Sequence, residues 1–281
     1  MINFERSKEI RIKRANTEWW VNERAIVGDN GLTYIAYMTD MGEIHVKEFD
    51  AKCSKTPSRD IRLCKLNCNY ADEHNAPSIC ILKNGRIAVA YTGHGANGRL
   101  TYRMTSRPYD LFSFGEEHTI AYSGAVTYAQ MFENTEKGEI WFFCRVSAVT
   151  WEFIYSKDEG ESWSEPISVS EERGRIYDAI YRDGRIYALE FCNSTDKGFT
   201  CNEEGKFYKI FASDDNGKSF YEYSIIPFNT LGHAYGNLIF REDSSLVFYG
   251  YNVNDELNLT GLISNDFGLT WSEPFKIAVA K

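Results

Sequence analysis

Hydrophobic and polar positions along this chain alternate over short, strand-length runs. Gly31–Thr39 (GLTYIAYMT), Arg86–Thr92 (RIAVAYT), Ile140–Val146 (IWFFCRV), Arg185–Phe191 (RIYALEF) and Leu246–Tyr251 (LVFYGY) are rich in β-branched and aromatic residues. Such residues fit a pleated, half-buried surface. Turn chemistry punctuates the runs: Asp29-Asn30-Gly31, Lys83-Asn84-Gly85 and Arg182-Asp183-Gly184 each place Gly where a hairpin needs a positive φ. No stretch keeps an apolar stripe at helical spacing. The pattern predicts an all-β chain.

An internal repeat turns that prediction into an architecture. The pattern S-x-D-x-G-x-x-W occurs at Ser156–Trp163 (SKDEGESW) and again at Ser264–Trp271 (SNDFGLTW). A looser copy, Ser213–Phe220 (SDDNGKSF), has Phe in place of Trp. A decayed relative near Ser106 keeps only strand and turn. In such an Asp box the carboxylate accepts backbone N–H bonds across a hairpin turn and Gly takes the positive φ. The aromatic is expected to pack beneath the hairpin. The motif is structural and receives no catalytic role. Copies at blade-like spacing predict a β-propeller of four-stranded antiparallel blades. Five blades are expected in a single domain, at about residues 20–68, 72–123, 124–172, 173–228 and 229–279. Six is the alternative if residues 1–19 and 48–70 build more sheet. The strand-like Glu9–Lys13 (EIRIK) is expected to pair with the last blade and close the ring.

Composition narrows the partners. The formal net charge of -9 disfavours nucleic acid and anionic lipid, both of which ask for a basic face. An anionic ligand stays open, because a few arginines inside a funnel reverse the local potential. Aromatics at 15% supply strand formers first and sugar-stacking surfaces second. Seven cysteines, an odd number without a framework, imply reduced thiols. Cys64 and Cys68 lack the second pair a zinc site needs. No metal or cofactor is expected, although a propeller channel has room for a structural cation. The N-terminus lacks an apolar leader, and no run reaches the ~18 apolar residues of a membrane span. The expectation is a cytoplasmic protein, or one released by lysis or carried on a virion; secretion requires that a signal has been removed. The sequons at Asn193 and Asn258 read as chance matches.

In propellers the innermost strands line a channel, so the segments opening each blade hold the candidate chemistry. Three of the five histidines (His74, His94 and His233) fall in or beside such segments. A lone histidine is ordinarily a surface or core residue; equivalent placement favours a site. Arg24 and Arg145 each follow or interrupt an apolar strand, so each needs a ligand or a partner such as Glu23, Glu190 or Glu152. Trp20, Asn75, Tyr128, Tyr177, Glu190 and Tyr235 complete the candidate mouth.

Four segments, WWVNERA (19–25), DEHNAPSICILKNGRIAVAYTGHG (72–95), TYAQMF (127–132) with GEIWFFCR (138–145), and SKDEGESWSEP (156–166), occur in that order. Together they resemble the BNR-repeat-containing (Asp-box, sialidase-like) propeller family that includes ulvan lyases. The resemblance covers roughly residues 19–195 and is strongest over 72–95. It implies β-elimination on an anionic, uronic-acid polysaccharide. By matching motifs, His74 and Tyr128 resemble the acid/base pair. His94, Arg145 and Tyr177 resemble carboxylate-binding and supporting residues. Around Tyr177 the sequence has Ile where the family usually has Pro. Arg24, Asn75, Trp20, Glu190, His233 and Tyr235 are the expected substrate contacts. The chain is far shorter than propeller-type ulvan lyases.

Two other functions compete. A non-catalytic glycan-binding or attachment module would use Trp19, Trp20, Tyr128, Tyr177 and Tyr235 as stacking platforms. A glycoside hydrolase would draw two carboxylates from Asp72, Glu73, Asp178 and Glu190. A true sialidase wants an arginine triad, and only two arginines are well placed. No phosphate loop or nucleophile elbow occurs.

Overall fold

The computed structural model describes residues 15–16, 25–50, 52, 58–66, 75–93, 98–147, 150–170, 175–192, 206–230, 236–252 and 258–278. Within them the side chains of residues 15, 16, 175, 177, 192, 206, 207, 229, 230, 251, 252 and 258 are not described. Five antiparallel sheets form a five-bladed propeller, each sheet a simple meander from an innermost to an outermost strand.

In the first blade the innermost position is split. β1 (Ala15–Asn16) and β2 (Ala25–Val27) both pair with β3 (Thr33–Thr39), which leads to β4 (Glu43–Phe49) and β5 (Arg59–Lys65). The second blade is β6 (Ser78–Ile81), β7 (Ile87–Thr92), β8 (Arg99–Met104) and β9 (His118–Ala121). The third is β10 (Val126–Asn134), β11 (Glu139–Val146), β12 (Thr150–Ser156) and β13 (Ile167–Ser170). The fourth is β14 (Arg175–Arg182), β15 (Arg185–Cys192), β16 (Lys206–Ser213) and β17 (Tyr221–Thr230). The fifth is β18 (Gly236–Phe240), β19 (Leu246–Asn252), β20 (Asn258–Ser264) and β21 (Phe275–Ala278). The expected pairing of Glu9–Lys13 lies outside the described residues.

Turn chemistry fixes the registers. Asp183 and Gly184 both have positive φ, 50° and 88°, and join Arg182 to Arg185 as a two-residue hairpin. Both faces of a blade carry apolar side chains, because each central blade is covered on two sides. Four apolar clusters result, one per seam between consecutive blades. Tyr34, Ile44 and Val46 meet Ile79, Ile87 and Val89 between blades one and two. Leu100 and Tyr102 meet Val126 and Phe142 in the next seam. Trp151 and Phe153 then meet Ile176 and Ala188, and Leu189 and Tyr208 meet Leu238 and Phe248.

The Asp boxes lie between the third and fourth strands of blades three, four and five. In the first, Ser162 donates to Asp158 through its N–H (2.9 Å) and its hydroxyl (2.5 Å), and Gly160 N donates to Ser156 Oγ (2.8 Å). Asp215 with Ser219, and Asp266 with Thr270, repeat the arrangement. The aromatic does not stay beneath its own hairpin. Trp163 packs into the seam with blade two, where its Nε1 donates to Tyr102 Oη (3.1 Å) and its ring lies 4.7 Å from Phe142. Phe220 and Trp271 fill the next two seams. Each box therefore locks its blade to the preceding one. Near Ser106 the box is replaced by a 3-10 turn (Leu111–Ser113), capped by Asp110, which accepts from Phe112 N at 3.0 Å.

The innermost strands are also joined to one another through polar side chains. Ser78 Oγ accepts from Met131 N (2.9 Å), Gln130 Nε2 donates to Ile176 O, and Asp178 Oδ2 accepts from Leu238 N (2.8 Å). These bonds link blades two to three, three to four and four to five around the channel.

Candidate active site at the channel mouth

The mouth of interest is formed where the innermost strands begin. β10 pairs Val126 and Thr127 with Val146 and Arg145, then resumes at Gln130 opposite Phe143, so Tyr128 and Ala129 form a bulge. β14 does the same: its ladder passes from Ile176 to Asp178 and skips Tyr177. Two of the three tyrosines nominated from sequence, Tyr128 and Tyr177, thus occupy the bulges of these two innermost strands. A bulge re-aims a side chain that regular pleating would fix, and bulges concentrate beside active sites.

Tyr128 has φ 55°, the left-handed region that a bulky residue rarely adopts. Its ring packs against two neighbours. The Arg145 guanidinium carbon lies 4.5 Å from the ring centroid, and the Trp151 indole stacks at 6.2 Å with an interplanar angle of 19°. Arg145 and Trp151 face each other across the β11–β12 ladder, so backbone register holds cation and indole beside the phenol. Arg145 is the half-buried position in a strand otherwise buried throughout. A cation partly desolvated on a π face is well placed to take a carboxylate.

Glu190 is fully buried and accepts from Ser170 Oγ (3.2 Å), while its backbone stands opposite Ile176. Asn75 is 1% exposed and lies just ahead of β6. Asp178, weighed from sequence as a hydrolase carboxylate, holds blade five through Leu238 N. His74, His94, Trp20, Arg24, His233 and Tyr235 lie outside the described residues, and so does the side chain of Tyr177. The structure therefore brings together Tyr128 and Arg145, and places Asn75 and Glu190 in the interior.

Sequence reasoning missed Trp151. It reads as one more strand aromatic, and only the register opposite Arg145 puts it against Tyr128. Among the described residues no group of three or more His, Cys, Asp or Glu side chains is arranged to hold a metal ion. No helix among them is long and apolar enough to cross a membrane.

The fold defines a five-bladed β-propeller of the Asp-box type. Residues 32–224, more than half of the chain, match the family described as BNR repeat-containing, and the chain belongs to it. It is 25% identical over 175 residues to an ulvan lyase of Nonlabens ulvanivorans, a match spanning 52% of this chain and 35% of that protein. It is 23% identical over 181 residues to the Ulvan Lyase-PL25 of Pseudoalteromonas sp. (strain PLSV), spanning 55% of this chain and again 35% of the relative. The chain thus spans about a third of the length of these relatives. A solved PL25 ulvan lyase bound to -[GlcA(1-4)Rha3S]- superposes with a TM-score of 0.63 at 14% identity, covering 89% of this chain and 69% of that one. The NanB sialidase of Streptococcus pneumoniae gives a TM-score of 0.63 at 10% identity, covering 99% and 64%. These structural likenesses establish the fold.

Proposed function

We propose that this mouth binds a uronate-bearing, anionic glycan and cleaves it by β-elimination. The observation that carries the reading is Tyr128: a phenol on a strained bulge, packed against a guanidinium and an indole. In the reaction, Arg145 pairs with the uronate carboxylate and makes the adjacent C–H proton more acidic. Tyr128, with His74 as its acid/base partner, removes that proton. The electron pair forms the ring double bond, the bond to the glycosidic oxygen breaks, and the leaving oxygen receives a proton. His94 and Tyr177 assist Arg145. The relatives named as ulvan lyases, one of them bound to a glucuronate-containing repeat, support an anionic glycan as the ligand class.

The test is incubation with a panel of uronate glycans while following the ultraviolet absorbance of the unsaturated uronate product. Turnover that falls about 100-fold or more in Arg145→Ala supports the proposal, that being the scale of a lost transition-state hydrogen bond. No new chromophore with any glycan sinks it. Saturable binding to the same glycans without turnover would mark the mouth as a lectin site instead.

A further inference from the structure

The far ends of the innermost strands form a second, separate concavity. It is about 330 Å³ in volume and draws its lining from all five blades: Ile26, Ile81, Phe132, Asp178 and Leu238 each represent one. That size falls at the lower end of small-ligand sites, roughly 300–1,000 Å³. Two neighbouring hollows share Glu133 with it, which makes a continuous depression around the β10–β11 turn.

Asn134 gives this cavity direction. The residue is 2% exposed, yet it lines the cavity. Its Oδ1 accepts from Glu136 N (3.2 Å) and Lys137 N (3.4 Å) in the turn. Two backbone donors on one side-chain atom fix which atom is oxygen, so the amide orientation is settled. Nδ2 is thereby turned away from the turn, and this buried donor has no hydrogen-bond partner among the described residues. A buried donor left so is costly, and an acceptor from a ligand relieves that cost.

The remaining lining defines the ligand's chemistry. Phe132, Trp141 and Tyr181 make an aromatic wall, with Trp141 and Tyr181 edge-to-face at 5.8 Å. Lys137 Nζ lies over the Tyr181 ring at 4.8 Å and also donates to Asn216 Oδ1. The carboxylates of Glu133 and Glu136 supply acceptors, and Glu133 already takes one N–H from Lys83. Among the described residues the cavity lining contains no lysine or arginine, while Glu133, Glu136 and Asp178 bring three carboxylates to it. An anion is therefore disfavoured. A flat apolar face against aromatics, hydroxyl hydrogens for the carboxylates and a hydroxyl oxygen for Asn134 are what an uncharged pyranose presents.

We propose that this second channel mouth is a binding site for a neutral sugar residue, with Asn134 as its hydrogen-bond donor and Phe132 and Tyr181 as its stacking wall. It is independent of the elimination site at the other mouth. The experiment is isothermal titration of the protein with D-galactose, D-glucose, L-rhamnose, D-xylose and D-glucuronate. At least one neutral sugar should saturate in the millimolar range. Its affinity should fall about five-fold in Asn134→Asp, the effect of one lost hydrogen bond of roughly 1 kcal/mol, and again in Tyr181→Leu, but stay unchanged in Arg145→Ala. Glucuronate should depend on Arg145 and not on Asn134. The proposal is overturned if no neutral sugar saturates, or if binding is the same in wild type, Asn134→Asp and Tyr181→Leu. A loss only in Arg145→Ala would assign the sugar to the other mouth. Should Asn134→Asp melt early, Tyr181→Leu alone still decides.

Discussion

Tyr128 shows what a single residue contributes here. Holding a tyrosine at φ 55° costs about 1–3 kcal/mol, and surrounding structure has to over-determine such a conformation. Arg145 and Trp151 do so from the paired strands β11 and β12. Tyr128→Phe keeps the ring, the stack and the bulge, so its melting temperature should match wild type, whereas turnover on a cleavable uronate glycan should drop by about 10²–10⁴, the usual contribution of a proton-transfer group. A matched loss of fold and activity would reduce the phenol to a packing role. Glycine is required at Gly217: φ is 80°, and an added Cβ would sit 2.3 Å from Phe153 Cε1. Gly217→Ala should therefore destabilise by about 1–3 kcal/mol in a urea titration, the scale of overpacking and backbone strain. The motif alone predicts the positive φ. The clash with Phe153 is invisible in sequence, because the two residues meet across a blade seam.

At the scale of elements, the Asp boxes couple stability to pH. Asp158, Asp215 and Asp266 are each lowered to about 2 from 3.8, chiefly because the hydroxyl of the Ser or Thr four residues on donates to the carboxylate. The folded-state values lie below the unfolded ones, so the stabilisation is complete above about pH 4 and is lost as pH falls toward 2. Thermal melts of wild type should steepen downward through that window. Melts of the triple Asp→Asn variant should be lower at neutral pH and flatter across the window; parallel curves would refute the linkage. The boxes were legible as turns from spacing alone. Their aromatic was expected beneath its own hairpin, whereas Trp163, Phe220 and Trp271 reach into the preceding seam. A motif encodes a local turn, but the neighbour available for packing is set by the ring.

For the whole molecule, the innermost strands are tied sequentially by Ser78, Gln130 and Asp178. Asp178→Ala should strand the buried Leu238 N–H and cost about 1–3 kcal/mol of stability. If Asp178 instead served catalysis, stability would hold while turnover vanished. Apolar clusters fill the four seams between consecutive blades; among the described residues none spans blades five and one, and Val27 and Ile239 are 67% and 51% exposed. Amide exchange should accordingly be faster in β2 and β18 than in β10, whose strand is covered on both sides. Equal protection in all three would contradict that ranking.

Blade number, strand order and the turn at each Asp box followed from the sequence, because they depend on near neighbours: alternation, Gly at positive φ, and a carboxylate two residues beyond a serine. Tyr128 and Arg145 were also candidates from sequence, since a phenol at a strand start and a charge inside an apolar run stand out locally. Their contact with Trp151, the structural work of Asp178 and the buried amide of Asn134 were decided only by tertiary structure. Each depends on register between strands or on packing between blades, and no local pattern specifies which distant residue arrives at the same place.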